Sequence, residues 1–333
     1  MGVLVIGMHR SGTSALAGAL VGLGLDAGVA ASLMAPDEGN PEGYFEQWPI
    51  VEFDEEILLR FGGRWDSPPV LPANWISDDD RARAAELYRS LYAGENFVMK
   101  DPRVSLLLDL WRESAPRVPS AVFIVRDPMQ VAWSLAKRDH LPVSTGLALW
   151  SVFNRAALEG MAGLRVHVCS YEDLVERPGE VLPGLAASLA AWGEVAEDVD
   201  VAGALARINP QLRRNVAPVS EDRRLEPPEE ILALARYLAG LAGRHDDFGA
   251  TAPAAGWWEG ALLEERRLLV AELTREVTRL EAIVADLVVG NEALRAQSQE
   301  LRGELDATTA ALERLRNAVP VRAMRAIGRA VGR

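Results

Sequence analysis

The residues best placed to do chemistry in this chain form one run, Gly7-Met8-His9-Arg10-Ser11-Gly12-Thr13-Ser14. It lies between an apolar stretch, Val3-Leu4-Val5-Ile6, and the alanine- and leucine-rich stretch 15–23. Strand, glycine-bounded loop and helix in that order make a phosphate cradle, because a helix start presents unpaired N–H groups and a partial positive charge. The spacing G-x-x-x-x-G followed by hydroxyl residues is that of a nucleotide-binding loop. Loops that hold a triphosphate with magnesium carry a lysine directly after the second glycine. Here that position is Thr13, and the cation of the loop is Arg10. The loop is expected to hold a phosphate ester of lower charge than a magnesium-bound triphosphate.

The elements that must position such a ligand can be read around it. Asn96-Phe97-Val98-Met99-Lys100 predicts a short strand stopping at Asp101-Pro102-Arg103, and Pro102 suits the opening of a helix over 104–114. Ala121-Val122-Phe123-Ile124-Val125 is the clearest buried-strand pattern in the chain. It stops at Arg126-Asp127-Pro128, and helix resumes over 129–138. A fourth strand is expected over 165–170, with helices over 50–61, 78–92, 145–162, 179–191, 199–208 and 229–241. Asn40, Pro41 and Gly43 mark the stretch before 50–61 as a surface loop. Strands alternating with helices predict an α/β fold with a mostly parallel sheet. Ligands bind such sheets at the C-terminal strand ends, where the strand order reverses. The loop, Lys100 and Arg126 all fall just past strand ends.

Composition narrows the class. A chain of 333 residues, 49% apolar, can bury one large α/β domain and still carry an appendage. No run approaches the roughly 20 apolar residues of a membrane span, and the chain enters its first strand at once, so neither a spanning helix nor a signal peptide is expected. Cys169 is the only cysteine, which excludes an internal disulfide and fits a reducing cytoplasm. Four scattered histidines with one cysteine give no metal-ligand cluster, so no metal is expected. A net charge of −13 argues against general nucleic-acid binding.

Beyond a glycine-, alanine- and proline-bearing stretch, 243–256, read as a linker, the pattern changes. Leu273, Leu280, Leu287, Leu294 and Leu301 recur every seventh residue, and Val270, Val277 and Val284 each precede one by three. Valine at a and leucine at d predict a parallel two-stranded coiled coil over 257–318, hence a homodimer, with Asn291 at an a position fixing register. Such a helix over 258–316 would run roughly 90 Å, too long to pack wholly on one domain. Glu276 and Glu281 oppose the pairing, facing each other with like charge, and Gly290 costs ~1 kcal/mol within the helix. The alternative is a single amphipathic helix folded back on the domain. Pro320 is expected to end the coil. The tail 319–333 carries four arginines and no acids, beside Val321, Met324, Ile327 and Val331. It reads as a short basic helix for weak contact with an anionic membrane surface, or as a frayed tail.

Taken together and in order, the motifs of residues 2 to about 241 resemble the sulfotransferase family in its bacterial carbohydrate-type members. Gly7 to Ser14, in the Arg-Ser-Gly-Thr form, resembles the family's 5′-phosphosulfate loop, and Ile124-Val125-Arg126-Asp127-Pro128 continued to Ser134 resembles its 3′-phosphate motif. Phe97-Val98-Met99-Lys100-Asp101-Pro102-Arg103 and Tyr171-Glu172-Asp173-Leu174 are further landmarks. The resemblance implies a three-layer P-loop-type fold and 3′-phosphoadenosine 5′-phosphosulfate as donor, with sulfuryl transfer to an acceptor hydroxyl or amine. A donor with two anionic ends needs two anion pockets. Under this reading His9, Arg10, Ser11, Gly12, Thr13 and Ser14 form one. Arg126 with Ser134 forms the other, covered by a late basic loop at Arg213 and Arg214, with Arg214 preferred. Lys100 aligns with a lysine that offsets charge on the transferring group, with Arg10 beside it; Arg103 either assists or pairs with Asp101. The chain departs from cytosolic members, which place a histidine where Pro102 stands. Carbohydrate-type members use a glutamate near the first helix, which points to Glu46 as the base, with Asp101 and His9 as the other candidates. Trp48, Trp65 and Trp75 either stack on a sugar or pack in the core.

The expectation is a cytoplasmic sulfotransferase acting on a glycan or glycolipid, with the basic tail as its route to a peripheral place at the inner membrane surface. Its domain would span 1–242, ahead of the linker, the coil and the tail. Two other readings compete. A P-loop kinase would need a lysine after Gly12 and a magnesium carboxylate. A scaffold of the same fold would have lost catalysis and would recruit partners through the coil.

Overall fold

The computed structural model describes residues 2–37, 40, 43–92, 96–208 and 226–331, without the side chains of 257 and 315–331. The chain divides into two units, Met1–Leu269 and Val270–Arg333.

The first unit is built on one sheet of five strands in the order β2-β1-β3-β4-β5. These are β1 (Gly2–Ile6), β2 (Phe97–Lys100), β3 (Ser120–Val125), β4 (Val166–Ser170) and β5 (Gly243–His245). The first four run parallel, and β5 pairs antiparallel with β4. β1 is an interior strand and apolar on both sides: Leu4 and Ile6 enter one core, Val3 and Val5 the other. Period-2 alternation of an unbroken apolar strand requires cover on both faces. One cover is α2 (Trp48–Arg60), α3 (Asp78–Leu91), α4 (Val104–Ser114), α5 (Pro128–Asp139), α6 (Val143–Gly160) and α10 (Glu229–Ala239). The other is α1 (Thr13–Gly22), α7 (Tyr171–Glu176), α8 (Pro178–Ala191) and α9 (Ala202–Leu205). The fold is thus α/β, three-layered and mostly parallel. The chain leaves β1 for β2 on one side and returns to β3 on the other, so the crevice of strand-order reversal opens between β1 and β3. The glycine loop follows β1, and Arg126 follows β3.

Several expectations change. The stretch 243–256 is not a linker. It supplies β5, sets Phe248 in the core, and is held by Arg155, whose guanidinium donates to the Pro253 carbonyl and, at 3.0 Å, to that of Ala254. Glycine, alanine and proline show only that no periodic element is encoded; donors elsewhere in the fold can still hold such a stretch. The helix expected over 199–208 shrinks to α9, one turn. The last helix, α11 (Trp257–Val331), passes through Pro320. Proline fixes φ near the helical value and removes one hydrogen bond, which can kink a helix without ending it. The first turns of α11 belong to the domain: Leu263 is in its core, and Arg266 Nε donates to the Asp66 carbonyl at 2.8 Å. In the second unit the leucines of the heptad stripe are open to solvent, from 50% exposed at Leu280 to 67% at Leu287 and Leu294.

β4 also sets a pH limit on the fold. His167 is buried on the α8 face, with Nδ1 2.9 Å from Ser188 Oγ. Ser188 Oγ donates its own proton to the Gly184 carbonyl, so Nδ1 is the protonated nitrogen of a neutral ring. Burial, helped by the charge of His245, pushes the His167 pKa down to about 4. An unfolded histidine titrates near pH ~6.5, so below that value the unfolded chain binds a proton that the native state refuses. The stabilisation is full above pH ~6.5 and falls as the pH drops toward the folded value, by about 3 kcal/mol in all. Thermal unfolding between neutral and acidic pH is expected to show this slope, and His167→Gln to lose most of it. Equal slopes in the two proteins would refute the assignment.

Candidate active site

The loop after β1 is pinned before it reaches its helix. Gly7 N–H donates to Ser105 Oγ at 3.1 Å, tying the strand end to α4, and Ser11 N–H donates to the Met8 carbonyl at 3.1 Å. Arg10 and Gly12 have φ of 68° and 91°. That left-handed backbone is strained for arginine and easy for glycine. Gly12 is required on a second count: a Cβ there would lie 2.1 Å from the Tyr171 ring. No side chain caps α1, so its first-turn N–H groups, Thr13 and Ser14 among them, lack a side-chain acceptor. Ser14 Oγ itself donates to the Tyr44 carbonyl at 3.4 Å.

The motif residues after β3 converge on this loop. Asp127 does not pair with Arg126. It caps α5, accepting from Gln130 N–H at 2.9 Å, with Pro128 in the first turn. Arg126 turns back instead. Its Nη1 donates to the Arg10 carbonyl at 2.8 Å, its Nη2 to Gln130 Oε1 at 3.0 Å, and its guanidinium lies 4.2 Å from the centre of the Tyr171 ring. Ser134, two turns into α5 from its cap, is buried and accepts from Arg10 Nε at 2.8 Å. The residues expected at the two anion pockets are thus linked through Arg10, whose Nε bonds to Ser134 and whose carbonyl accepts from Arg126. Beside Arg126 a cavity of about 320 Å³ opens between the ends of β3 and β4 and α10, lined by Trp150, Ser170, Ala235 and Leu238 among others. Arg213 and Arg214, expected over this region, lie outside the described residues.

At the end of β2 the charges are paired and buried. Lys100 is 3% exposed, and its ammonium donates to Glu46 Oε1. Gln47, not Glu46, stands at the start of α2, and no side chain caps that helix. Burial raises its pKa, with Lys100 opposing and the Asp101 charge adding. Arg103 Nη1 donates to Asp101 Oδ1 at 2.9 Å and its Nε to Glu55 Oε1 at 2.6 Å, so Asp101 is committed to an ion pair. Behind them Asp54 accepts from Trp111 Nε1 at 2.9 Å. Burial, with the Asp101 charge adding, pushes the Asp54 pKa well above the usual carboxylate value. His9 packs between Trp65 and Phe153, at 4.3 Å and 5.7 Å between ring centres. Its Nε2 is buried without a hydrogen-bond partner. Burial and the cations Arg103, Arg138, Lys100 and Arg10 hold its pKa well below the usual value, so the ring is neutral. Trp65 thus meets the loop, whereas Trp75 packs edge-on against Phe61 and Trp48 is half exposed.

Two residues here escaped the sequence reading. Tyr44 presents its ring 6.0 Å from Lys100 Nζ, and Arg138 stands on the loop side of α5, 5.9 Å from the Trp65 ring. The signal for Arg138 was present: Gln130, Ser134 and Arg138 are spaced by four, one face of a helix.

Among the described residues no group of three or more His, Cys, Asp or Glu side chains is arranged to hold a metal ion, and no helix is long and apolar enough to cross a membrane.

No family model and no curated protein matches the chain. Among solved structures, the sulfotransferase domain from the curacin biosynthetic pathway matches with a TM-score of 0.36 at 15% identity, over 79% of this chain and 96% of its own. The sulfotransferase domain from the Synechococcus PCC 7002 olefin synthase matches with a TM-score of 0.34 at 17% identity, over 80% and 94%. Both are domains of the family that the motifs resemble.

Proposed function

We propose that the first unit is a sulfotransferase that uses 3′-phosphoadenosine 5′-phosphosulfate and an acceptor hydroxyl, on a glycan or glycolipid, without a metal. One observation carries the reading: Arg10 and Ser134, 124 positions apart, meet at 2.8 Å while Arg126 holds the Arg10 carbonyl. That joins an uncapped helix start to two guanidiniums, a surface suited to a ligand with two anionic ends. The cavity beside Arg126, at the ends of β3 and β4, offers room for a nucleoside next to that guanidinium. Sulfuryl transfer, like phosphoryl transfer, is mainly positioning and charge stabilisation of an in-line displacement. The acceptor oxygen bonds to sulfur as the bond from sulfur to the 5′-phosphate oxygen breaks, and the electron pair leaves with that oxygen. Arg10 and the α1 amides hold the 5′-phosphate. Lys100 offsets charge on the transferring group, and Glu46 takes the acceptor's proton. Thr13 after Gly12 leaves a kinase without its lysine. Calorimetry is expected to show adenosine 3′,5′-bisphosphate binding without magnesium and more tightly than magnesium ATP. Transfer of labelled sulfate to a glycan panel tests the chemistry. The reverse nucleotide preference would favour a kinase, and donor binding without transfer a scaffold.

The open heptad stripe of α11 fits a second copy of this chain. Asn291 at an a position costs stability and selects two chains. Asn291→Val is expected to raise the melting temperature and broaden the oligomer distribution in sedimentation. Monomer in both forms would dismiss the pairing.

A further inference from the structure

Five cations stand in or around the glycine loop, Arg10, Lys100, Arg103, Arg126 and Arg138, and they are not equally committed. Lys100 and Arg103 are buried against carboxylates. Arg10 is held by its Nε on Ser134. Arg138 is held the same way, its Nε donating to both oxygens of Asp139 at 2.9 and 2.8 Å. Both terminal amino groups of Arg10 and of Arg138 lack a partner among the described residues. Two guanidiniums are thus clamped by one edge and open on the other. They are also near each other, because Ser134 and Arg138 stand one turn apart on the same face of α5. Arg138 is the more outward of the two positions: its side chain is 31% exposed, while Ser134 is 1% exposed. Beside it Trp65 presents a ring that also covers His9, whose buried Nε2 has no partner.

We propose that Arg138, Trp65 and His9 form the acceptor subsite, and that it selects an acceptor carrying a carboxylate or sulfate beside its reacting hydroxyl. This rests on the sulfotransferase reading and adds to it the acceptor's charge. The donor's anionic ends fall to deeper groups, the α1 amides, Arg10, Lys100 and Arg126. Arg138 is part exposed, so a second molecule can reach it from solvent. The open edge of a guanidinium suits the two oxygens of a carboxylate or sulfate, and an aromatic face suits a sugar ring. His9 Nε2 needs a hydrogen-bond partner, which an acceptor hydroxyl can supply. Like charge reinforces the site: the charge of Arg138 falls on Arg10, on His9 and on the Tyr44 phenol, and an incoming anion relieves it.

The test uses the full chain saturated with adenosine 3′,5′-bisphosphate on an array of glycans paired as neutral and carboxylated or sulfated forms. The acidic members are expected to be retained about tenfold or more over their neutral partners. Arg138→Gln should bring that ratio close to one and leave bisphosphate affinity within about twofold. Equal retention of the pairs, or none, would overturn the proposal. So would a large loss of bisphosphate affinity in Arg138→Gln, which would put Arg138 on the donor. If the wild type fails to bind the bisphosphate, the sulfotransferase reading falls first and this inference with it. A protein that binds the nucleotide but ignores acceptor charge refutes the inference alone.

Discussion

Arg10→Ala is expected to weaken adenosine 3′,5′-bisphosphate binding by about two orders of magnitude, and Arg126→Ala by at least as much. A hydrogen bond to a charged group contributes ~1.5–3 kcal/mol, and each guanidinium can make two to an anionic oxygen pair. The two losses arise differently. Arg10 contributes its open edge, and its removal frees only Ser134 Oγ from that bond. Arg126 also carries the loop, through the Arg10 carbonyl, Gln130 and the Tyr171 ring. Its removal leaves a strained left-handed Arg10 backbone less supported. The double variant should therefore lose less than the product of the single effects, because residues in one network do not act independently. Arg126→Lys separates charge from shape: it keeps the cation and cannot bridge two acceptors. Most of the affinity should still be lost. Titration calorimetry at fixed salt reads all four proteins, and unchanged affinity in both single variants would end the donor assignment.

What could be read from the sequence follows from how local each signal is. The glycine loop and the Arg-Asp-Pro turn each announce themselves within eight residues, and each follows an apolar strand, so both were placed correctly at the strand ends. The mostly parallel sheet follows from strands alternating with helices, whereas the strand order is seen only in the structure. Contacts between distant segments were not legible. Arg10 reaching Ser134, Lys100 reaching Glu46 and Asp54 reaching Trp111 each depend on how α2, α4 and α5 pack, which no local pattern encodes. The three residues of β5 are too few for a period to show, and Arg138 looked like an ordinary basic residue at a helix end, where it also suits the helix dipole. The polar core behind Lys100 was hidden for a related reason. Four acidic side chains spread over 46–101 look like solvated charges until the fold gathers them near two cations and buries Glu46, Asp54 and Asp101.

That core makes the other large prediction a pair of opposite effects. Glu46→Gln removes the proposed base, and turnover should fall by about 10²–10⁴-fold. It also removes the carboxylate that neutralises Lys100, so the ammonium is left for the donor's anionic group, and donor affinity should rise. Lys100→Met should lower turnover as well, but donor affinity should fall, since the arriving charge meets a lone buried carboxylate. Deleting one member of a buried ion pair typically costs ~3–5 kcal/mol. In Lys100→Met the cost should be smaller at low pH, because burial already raises the Glu46 pKa and loss of its cation raises it further. The carboxyl escapes by taking a proton, and the stability deficit should grow as the pH rises through that elevated value. The same sign governs the reaction. A base must be deprotonated, so in the wild type the ascending limb of the pH–rate profile should lie above the ordinary carboxylate range, and Glu46→Gln should abolish it. Stopped-assay rates across pH, with donor affinity measured on each variant, decide the matter. A Glu46→Gln enzyme with wild-type turnover would move the base elsewhere, and with Asp101 locked to Arg103 the neutral His9 would be the group left within the site to accept the proton.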